Sequence, residues 1–369
     1  MEIVKISQQN EKQIREFHKL VNIIYLTDEN YVMPITDDVE AVFDPSKNKR
    51  FEHGEAERWL LFENDVCVGR IAAFYEIKHG KPFGAWGFFE VLENESYAVA
   101  LIETAEKWLK DKGCDKILAP VNFGDKDSFW GLLIQGNKKP SYLENYNPHY
   151  YQNFIEGQGY EREIEQTTYD ISYAEFNYTR FKAISNRALS NSDYRFEFLD
   201  FAQIDKYVQD FIVIYNQSWA FHEDFVPLKR EVLLKRFKSM RYAMYPEFTV
   251  FAYHNERPIG FFVSILELNE VFCKFEGRLS WWNKIKFLLS RGSITKAKAI
   301  IFGVVPDYRK LGIDTGLIIK SYEGMMKAKK ISSMELAWIG DFNPKMLSML
   351  SSMGAKLTKT HHTYRRKLF

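Results

Sequence analysis

Two basic residues and a glycine, Arg309, Lys310 and Gly312, follow an apolar run, Ala299-Ile300-Ile301-Phe302-Gly303, that reads as a buried strand. After them Leu317, Ile318, Tyr322, Met325 and Met326 recur at helical spacing. Strand, basic glycine-containing turn and helix, in that order, make an anion cradle. The first amides of a helix have no partner inside it, and its dipole puts partial positive charge at the same end. Arg309 and Lys310 could pair with a diphosphate, while Gly312 would let a phosphate approach the backbone. A solvated basic turn is the plainer reading of the same residues. Asp314, early in the helix, favours the dipole but opposes a bound anion unless its carboxylate turns away.

The spacing Arg309-x-x-Gly312-x resembles the pyrophosphate loop of the GNAT superfamily, usually [Gln/Arg]-x-x-Gly-x-[Gly/Ala], with Asp314 at the last position. The resemblance implies acetyl-CoA or another acyl-CoA as acyl donor. It implies that Val304, Val305, Arg309, Lys310, Leu311, Gly312, Ile313 and Asp314 hold the cofactor. The backbone at Val304 and Val305 would pair with the pantetheine arm and stabilise the thioester oxyanion. Both valines are also ordinary core residues of a strand.

Direct acyl transfer to an amine needs a group to take the amine's proton and one to reprotonate the thiolate. Many members of the superfamily carry a Tyr seven or eight residues after an Asn of the later helix. From Asn343 that count reaches Leu350 and Ser351, so the acid is missing. Tyr364, Glu335 on the strand Met334–Trp338, and Glu223 beside His222 are the substitutes, each also readable as structural. No Cys or Ser stands in a nucleophilic arrangement.

These residues need elements to position them, and the chain reads as one architecture written twice. Asn64-x-x-x-x-Gly69 matches Asn255-x-x-x-x-Gly260 at an offset of 255 − 64 = 191. Glu29-Asn30-Tyr31-Val32 matches Glu223-Asp224-Phe225-Val226 at 223 − 29 = 194, and Asn147-Pro148 matches Asn343-Pro344 at 343 − 147 = 196. Thr168-Tyr169 and Thr363-Tyr364 close each half ten residues after Gly159 and Gly354. The expectation is an α/β (α+β layered) protein of two tandem GNAT-like domains, 1–175 and 176–369. Each would be a mixed, mostly antiparallel twisted sheet flanked by helices. A helix around Ala174 to Leu189 would link them.

Only the second half shows the cradle. Aligning Glu106 with Glu323 puts Leu92 opposite Arg309 and Glu95 opposite Gly312, so Glu90, Glu93 and Glu95 surround the first half's helix entry. Acidic residues there suit the dipole but repel a diphosphate. The same alignment places insertions at Val271 to Lys298 and between Pro120 and Asn147, where acceptor choice would reside.

The 369 residues carry a formal net charge of +1, with 46% apolar and 16% aromatic residues. Two cores are affordable, and no general attraction to nucleic acid is expected. Cys67, Cys114 and Cys273 have no disulfide or zinc spacing. With no secretory leader pattern and no apolar run of 18 residues, a cytoplasmic protein without a membrane span is expected. Trp281-Trp282 opens a basic amphipathic stretch that could line an acyl groove, rest weakly on a membrane surface, or simply pack as a helix. The tyrosines from Tyr142 to Tyr151 could stack on a ligand or pack the domain boundary. His361-His362 lacks metal-site spacing and reads as solvated.

The leading expectation is an acyl-CoA-dependent N-acyltransferase acting on a small-molecule or lipid-like amine. One alternative is a Fem-type aminoacyl transferase, which pairs two such folds and uses charged tRNA; near-neutral charge and the loop at 309–314 count against it. The other is a non-catalytic acyl-CoA or ligand-binding module, which Asp314 and the missing Tyr favour.

Overall fold

The computed structural model describes residues 1–369 except 125, 221–226 and 328–329. Glu223 and His222 therefore lie outside the described residues. The strands are β1 (Glu2–Lys5), β2 (Gly54–Glu63), β3 (Val66–Lys78), β4 (Lys81–Val91), β5 (Lys116–Ala119), β6 (Leu132–Gln135) and β7 (Glu161–Ser172). The second series is β8 (Tyr194–Phe198), β9 (Thr249–His254), β10 (Arg257–Leu266), β11 (Lys296–Val304), β12 (Ser333–Gly340) and β13 (Lys356–Lys367). Helices of the first half are α1 (Glu11–Lys19), α2 (Val21–Ile24), α3 (Thr36–Phe43), α4 (Glu95–Asp111) and α5 (Tyr150–Gly157). After the linking α6 (Tyr178–Leu189) come α7 (Ile204–Trp219), α8 (Arg230–Met240), α9 (Asn269–Phe272), α10 (Trp281–Ser290), α11 (Ile313–Lys327) and α12 (Pro344–Met353).

All the strands join one sheet, ordered β1-β2-β3-β4-β5-β13-β7-β12-β11-β10-β9-β8, with β6 pairing β13 off this path. Read from either edge inward, the two series run in the same order until they meet at β13 and β7. There they exchange: β13 lies beside β5, and β7 lies beside β12. The central pair is two-fold in its register. Tyr169 faces Leu357 and Tyr364 faces Arg162, and 364 − 169 = 357 − 162 = 195. Between them Gln166 faces His361, and 361 − 166 = 195, so that pair is the symmetric centre and the repeated Thr-Tyr flanks it.

Both halves also carry the same irregularity. In β4, Phe88 and Phe89 together oppose Ile71, between the pairs Ala72↔Gly87 and Arg70↔Glu90. In β11, Ile300 is the extra residue between Ser264↔Ala299 and Val263↔Ile301. A bulge adds one residue to one strand and re-aims the side chains beyond it.

The cores follow from the alternation of apolar residues. α4 covers one face of the first half's sheet with Leu101, Ile102, Ala105 and Leu109 against Ile71 and Trp86. α1 and α3 cover the other with Phe17, Leu20, Val39 and Phe43. In the second half α7 and α11 supply Phe211, Ile214, Leu317 and Ile319 to a larger core. Helices α1 and α2 follow one another directly and meet at Leu20.

Two expectations need correction. His361 is buried, because β13 runs through the middle of the sheet, and its Nε2 lies 3.1 Å from the carbonyl oxygen of Asn145. The run Ile300-Ile301-Phe302 is only half buried, for the reason given next.

Candidate active site

β11 and β12 run parallel and pair from Lys296↔Ser333 to Ala299↔Leu336, then part. Beyond that point β11 stays with β10 as far as Val304, while β12 turns to β7 through Ile339 and Gly340. The bulge at Ile300 sits where the strands separate. The resulting wedge has half-buried apolar walls, Ile300, Ile301 and Phe302 on one side and Trp338 and Ile339 on the other. Strand edges that have lost their neighbour keep backbone groups free to bind a ligand.

At the open end of the wedge stands the expected cradle. Val304 and Val305 are buried, and the Val305 amide is spent on the Ile259 carbonyl at 2.9 Å. A short turn, Pro306–Tyr308, leads to Arg309, whose Nε donates to the Val304 carbonyl at 3.2 Å. Lys310 and Gly312 then take positive φ, 67° and 83°. A backbone that alternates in this way turns successive amides to one side. Among the described residues the amides of Lys310, Leu311, Gly312, Ile313 and Asp314 have no hydrogen-bond partner; that of Gly316 begins the helix ladder on Gly312. Arg309 and Lys310 are exposed and have no carboxylate partner among the described residues. Gly312 is required by its φ, and α6 packs beside it, with the Ile184 carbonyl 3.4 Å from where a Cβ would stand. The Asp314 carboxylate folds onto the Thr315 amide at 2.8 Å, which satisfies one helix donor without ion pairing.

The first half lacks this device. Asn94 caps α4 by accepting from the Ser96 amide at 3.0 Å, and the chain enters the helix through Leu92 and Glu93 with no positive φ. Its separating strands frame a cleft instead. Phe88, Phe89, Glu90, Phe129, Leu132, Tyr146 and Tyr151 are among the residues around about 620 Å³, the open mouth included. Glu90 is buried, and one oxygen, Oε2, accepts from Tyr25 at 2.8 Å and Tyr151 at 2.9 Å. Its other oxygen, Oε1, accepts no hydrogen bond among the described residues, with the Arg70 guanidinium 3.7 Å away. Burial pushes the carboxyl above its ordinary range; Arg70 and the two phenols oppose that shift. A smaller cavity shares Val32, Pro34, Phe129 and Glu144 with this cleft and continues to Tyr142 and Asn269, reaching the second half.

Behind Tyr142 and Asn269 of the smaller cavity, buried charges gather around the β11–β12 pair. Glu335 lies 3.1 Å from Lys359 and 3.7 Å from Lys296. Lys359 also binds Glu144, so β13 ties the cleft wall to β12. Glu267, just past β10, accepts on Oε1 from the amides of Tyr142 at 2.8 Å and Asn269 at 3.0 Å. Oε2 of Glu267 and Oε1 of Glu335 are buried without partners among the described residues. Burial favours the neutral form of both, but Lys359, Lys298 and Lys296 hold Glu335 down at about 2. Burial carries Glu267 up to about 7, Glu335 adding to the shift and Lys298 opposing it. Glu335 is therefore a poor proton acceptor near neutrality, and Glu267 a suitable one.

Of the substitute catalytic residues, the structure brings Glu335 to the point where the strands part. Tyr364 sits in the first half's core beside Ala119, its hydroxyl donating to Glu156 at 2.8 Å, apart from the cradle. Glu267 and Glu90 were not singled out as site residues from sequence. Each is one acid among 49 Asp and Glu, and only the fold buries it.

No family model matches the chain. It is 23% identical over 370 residues to Protein YghO of Escherichia coli (strain K12), spanning 97% of this chain and 94% of that protein. It is 23% identical over 374 residues to the Bacterial ceramide synthase of Caulobacter vibrioides, spanning 96% and 95%. Among solved structures, a tandem GNAT protein from the clavulanic acid biosynthesis pathway superposes over 100% of this chain and 98% of its own, with a TM-score of 0.61 at 11% identity. The chain has the tandem GNAT fold. A GCN5-related N-acetyltransferase from Sphaerobacter thermophilus matches 99% of this chain and 96% of its own, with a TM-score of 0.51 at 10% identity.

Proposed function

We propose that the protein is an acyl-CoA-dependent N-acyltransferase whose acceptor is a lipid-like amine. The observation that carries this is the wedge between β11 and β12 ending on the run of unpartnered amides from Lys310 to Asp314. A diphosphate at those amides, with Arg309 and Lys310 beside it, would lay the pantetheine arm along the β11 edge. The thioester would then lie near the bulge at Ile300, where a free strand amide can hold its oxyanion. The acceptor enters through the first half's cleft. Its amine would reach the smaller cavity beside Tyr142, attack the thioester carbonyl, and give its proton to Glu267. The thiolate leaves as the C–S bond breaks and the amide C–N bond forms. Phe88, Phe89 and Phe129 give the cleft an apolar wall. An extended apolar acceptor fits it, and the ceramide synthase likeness agrees, since a ceramide is the amide of a long-chain amino alcohol.

The test mixes the purified chain with acetyl-CoA and palmitoyl-CoA against a panel of long-chain amines, following free thiol release and the mass of the amide. Thiol release that requires both partners is expected. Calorimetry showing no affinity for CoA or either thioester would remove the reading; binding with no turnover on any amine would make the protein a binding module.

A further inference from the structure

The helix α10 has the build of a membrane-resting element. Phe287 alone of its ten residues is buried, and it anchors the helix on Phe272 with ring centroids 5.3 Å apart. Trp281 and Trp282 are each 60% exposed and stack on one another at 3.9 Å. Leu289 is 81% exposed, and Ile285 and Leu288 also face solvent. At 100° per residue, positions 281, 282, 285, 288 and 289 form one stripe, opposite Phe287. Lys284 and Lys286 flank that stripe on its two sides, and both are exposed. Neither has a carboxylate partner among the described residues, and Arg278 and Lys274 precede the helix.

We propose that α10 docks this protein on an anionic lipid bilayer, the stripe entering the headgroup–acyl boundary and Lys284 and Lys286 meeting lipid phosphates. Tryptophan suits that depth, having an apolar ring and one polar N–H. Two flanking lysines add an attraction that salt weakens. A contiguous exposed apolar patch rimmed by charge marks an interaction surface rather than ordinary surface. A second copy of the chain fits it less well. A ten-residue helix is about 15 Å long, short of supplying the roughly 800 Å² per partner of a stable dimer. A two-fold contact would also set lysine against lysine. Among the described residues no helix is long and apolar enough to cross a membrane, so the contact proposed is peripheral. It stands without the transferase reading, because it uses none of the wedge or cleft residues.

The test is co-sedimentation of the full chain with phosphatidylcholine vesicles holding or lacking 30 mol% phosphatidylglycerol. Binding to the anionic vesicles, weakened by 0.5 M NaCl, is expected. The double variant Trp281→Ser/Trp282→Ser should lower it by at least about tenfold, and Lys284→Glu/Lys286→Glu should abolish the preference for anionic lipid. These side chains are exposed, so thermal unfolding and CoA binding should stay at the parent values, which separates a lost contact from a lost fold. Equal sedimentation of parent and Trp variant overturns the proposal. So does analytical ultracentrifugation showing a dimer that the Trp variant dissociates, which would give the stripe to a second copy.

Discussion

Glu335 stands opposite Lys298 in the parallel register of β11 and β12, one residue before the strands part. The pair marks the apex of the wedge, and Lys359 and Glu267 complete the buried charge around it.

Glu267 gives the clearest pH signature. An unfolded glutamate ionises near 4.5, whereas folded Glu267 holds its proton up to about 7. Below 4.5 both states are protonated and the group contributes nothing. Between 4.5 and 7 the unfolded state loses the proton first, so stability falls as pH rises, and the full cost applies above 7. Glu267→Gln keeps an acceptor for the Tyr142 and Asn269 amides and removes that cost. Thermal melts should show the variant more stable than the parent at pH 8, by roughly 3 kcal/mol, and equal to it at pH 4. The same variant should lose amide formation by about 100-fold or more with unchanged CoA affinity. Full activity in Glu267→Gln would return the residue to a purely structural role.

Lys359 is the opposite case. It is 3% exposed and serves Glu335 and Glu144 together. Lys359→Met removes the cation of Glu144 and leaves Glu335 only Lys296 and Lys298 nearby, which costs roughly 3–5 kcal/mol at neutral pH. The depressed Glu335 contributes stability above pH 4.5 that is lost as pH falls toward 2, so the variant's deficit should shrink in acid. Denaturant melts at pH 7 and pH 3 compare the two; an equal deficit at both would refute the assignment.

Arg309→Ala should weaken CoA binding by about one to two orders of magnitude, the loss of one hydrogen bond to a charged group. Because the side chain is exposed and among the described residues hydrogen-bonds only the Val304 carbonyl, the melting temperature should hold. Gly312→Ala is the harsher change. An Ala at φ 83° is strained, so both the loop and the cofactor affinity should suffer in calorimetry.

Glu90→Gln separates the acceptor from the donor. Glu90 lines the cleft, and its Oε1 accepts no hydrogen bond among the described residues, which leaves it available to a donor group of the acceptor. KM for the amine should rise about tenfold or more, with the affinity for CoA unchanged. A change in CoA affinity instead would place the cofactor in the first half.

The strand, glycine turn and helix around Arg309, Lys310 and Gly312 were legible in sequence because they are local, lying within a few residues of one another. The duplication was legible through Thr168-Tyr169 and Thr363-Tyr364, since the two strands that flank the symmetric centre repeat those residues. The exchange of β7 and β13 was not, because strand pairing 195 residues away leaves no trace in local pattern. That one omission accounts for two others. It buries His361, and it sets Lys359 between Glu144 and Glu335. Likewise nothing in the stretch from Trp281 to Leu289 tells which face is packed, and the structure turns only Phe287 inward.

The traded strands also set an order on biosynthesis. As the chain leaves the ribosome, β5 has no neighbour on its far side until residues 356–367 have been made. While residues 120–355 are being made, the amino-terminal portion carries an open strand edge, a place where wrong pairing can begin.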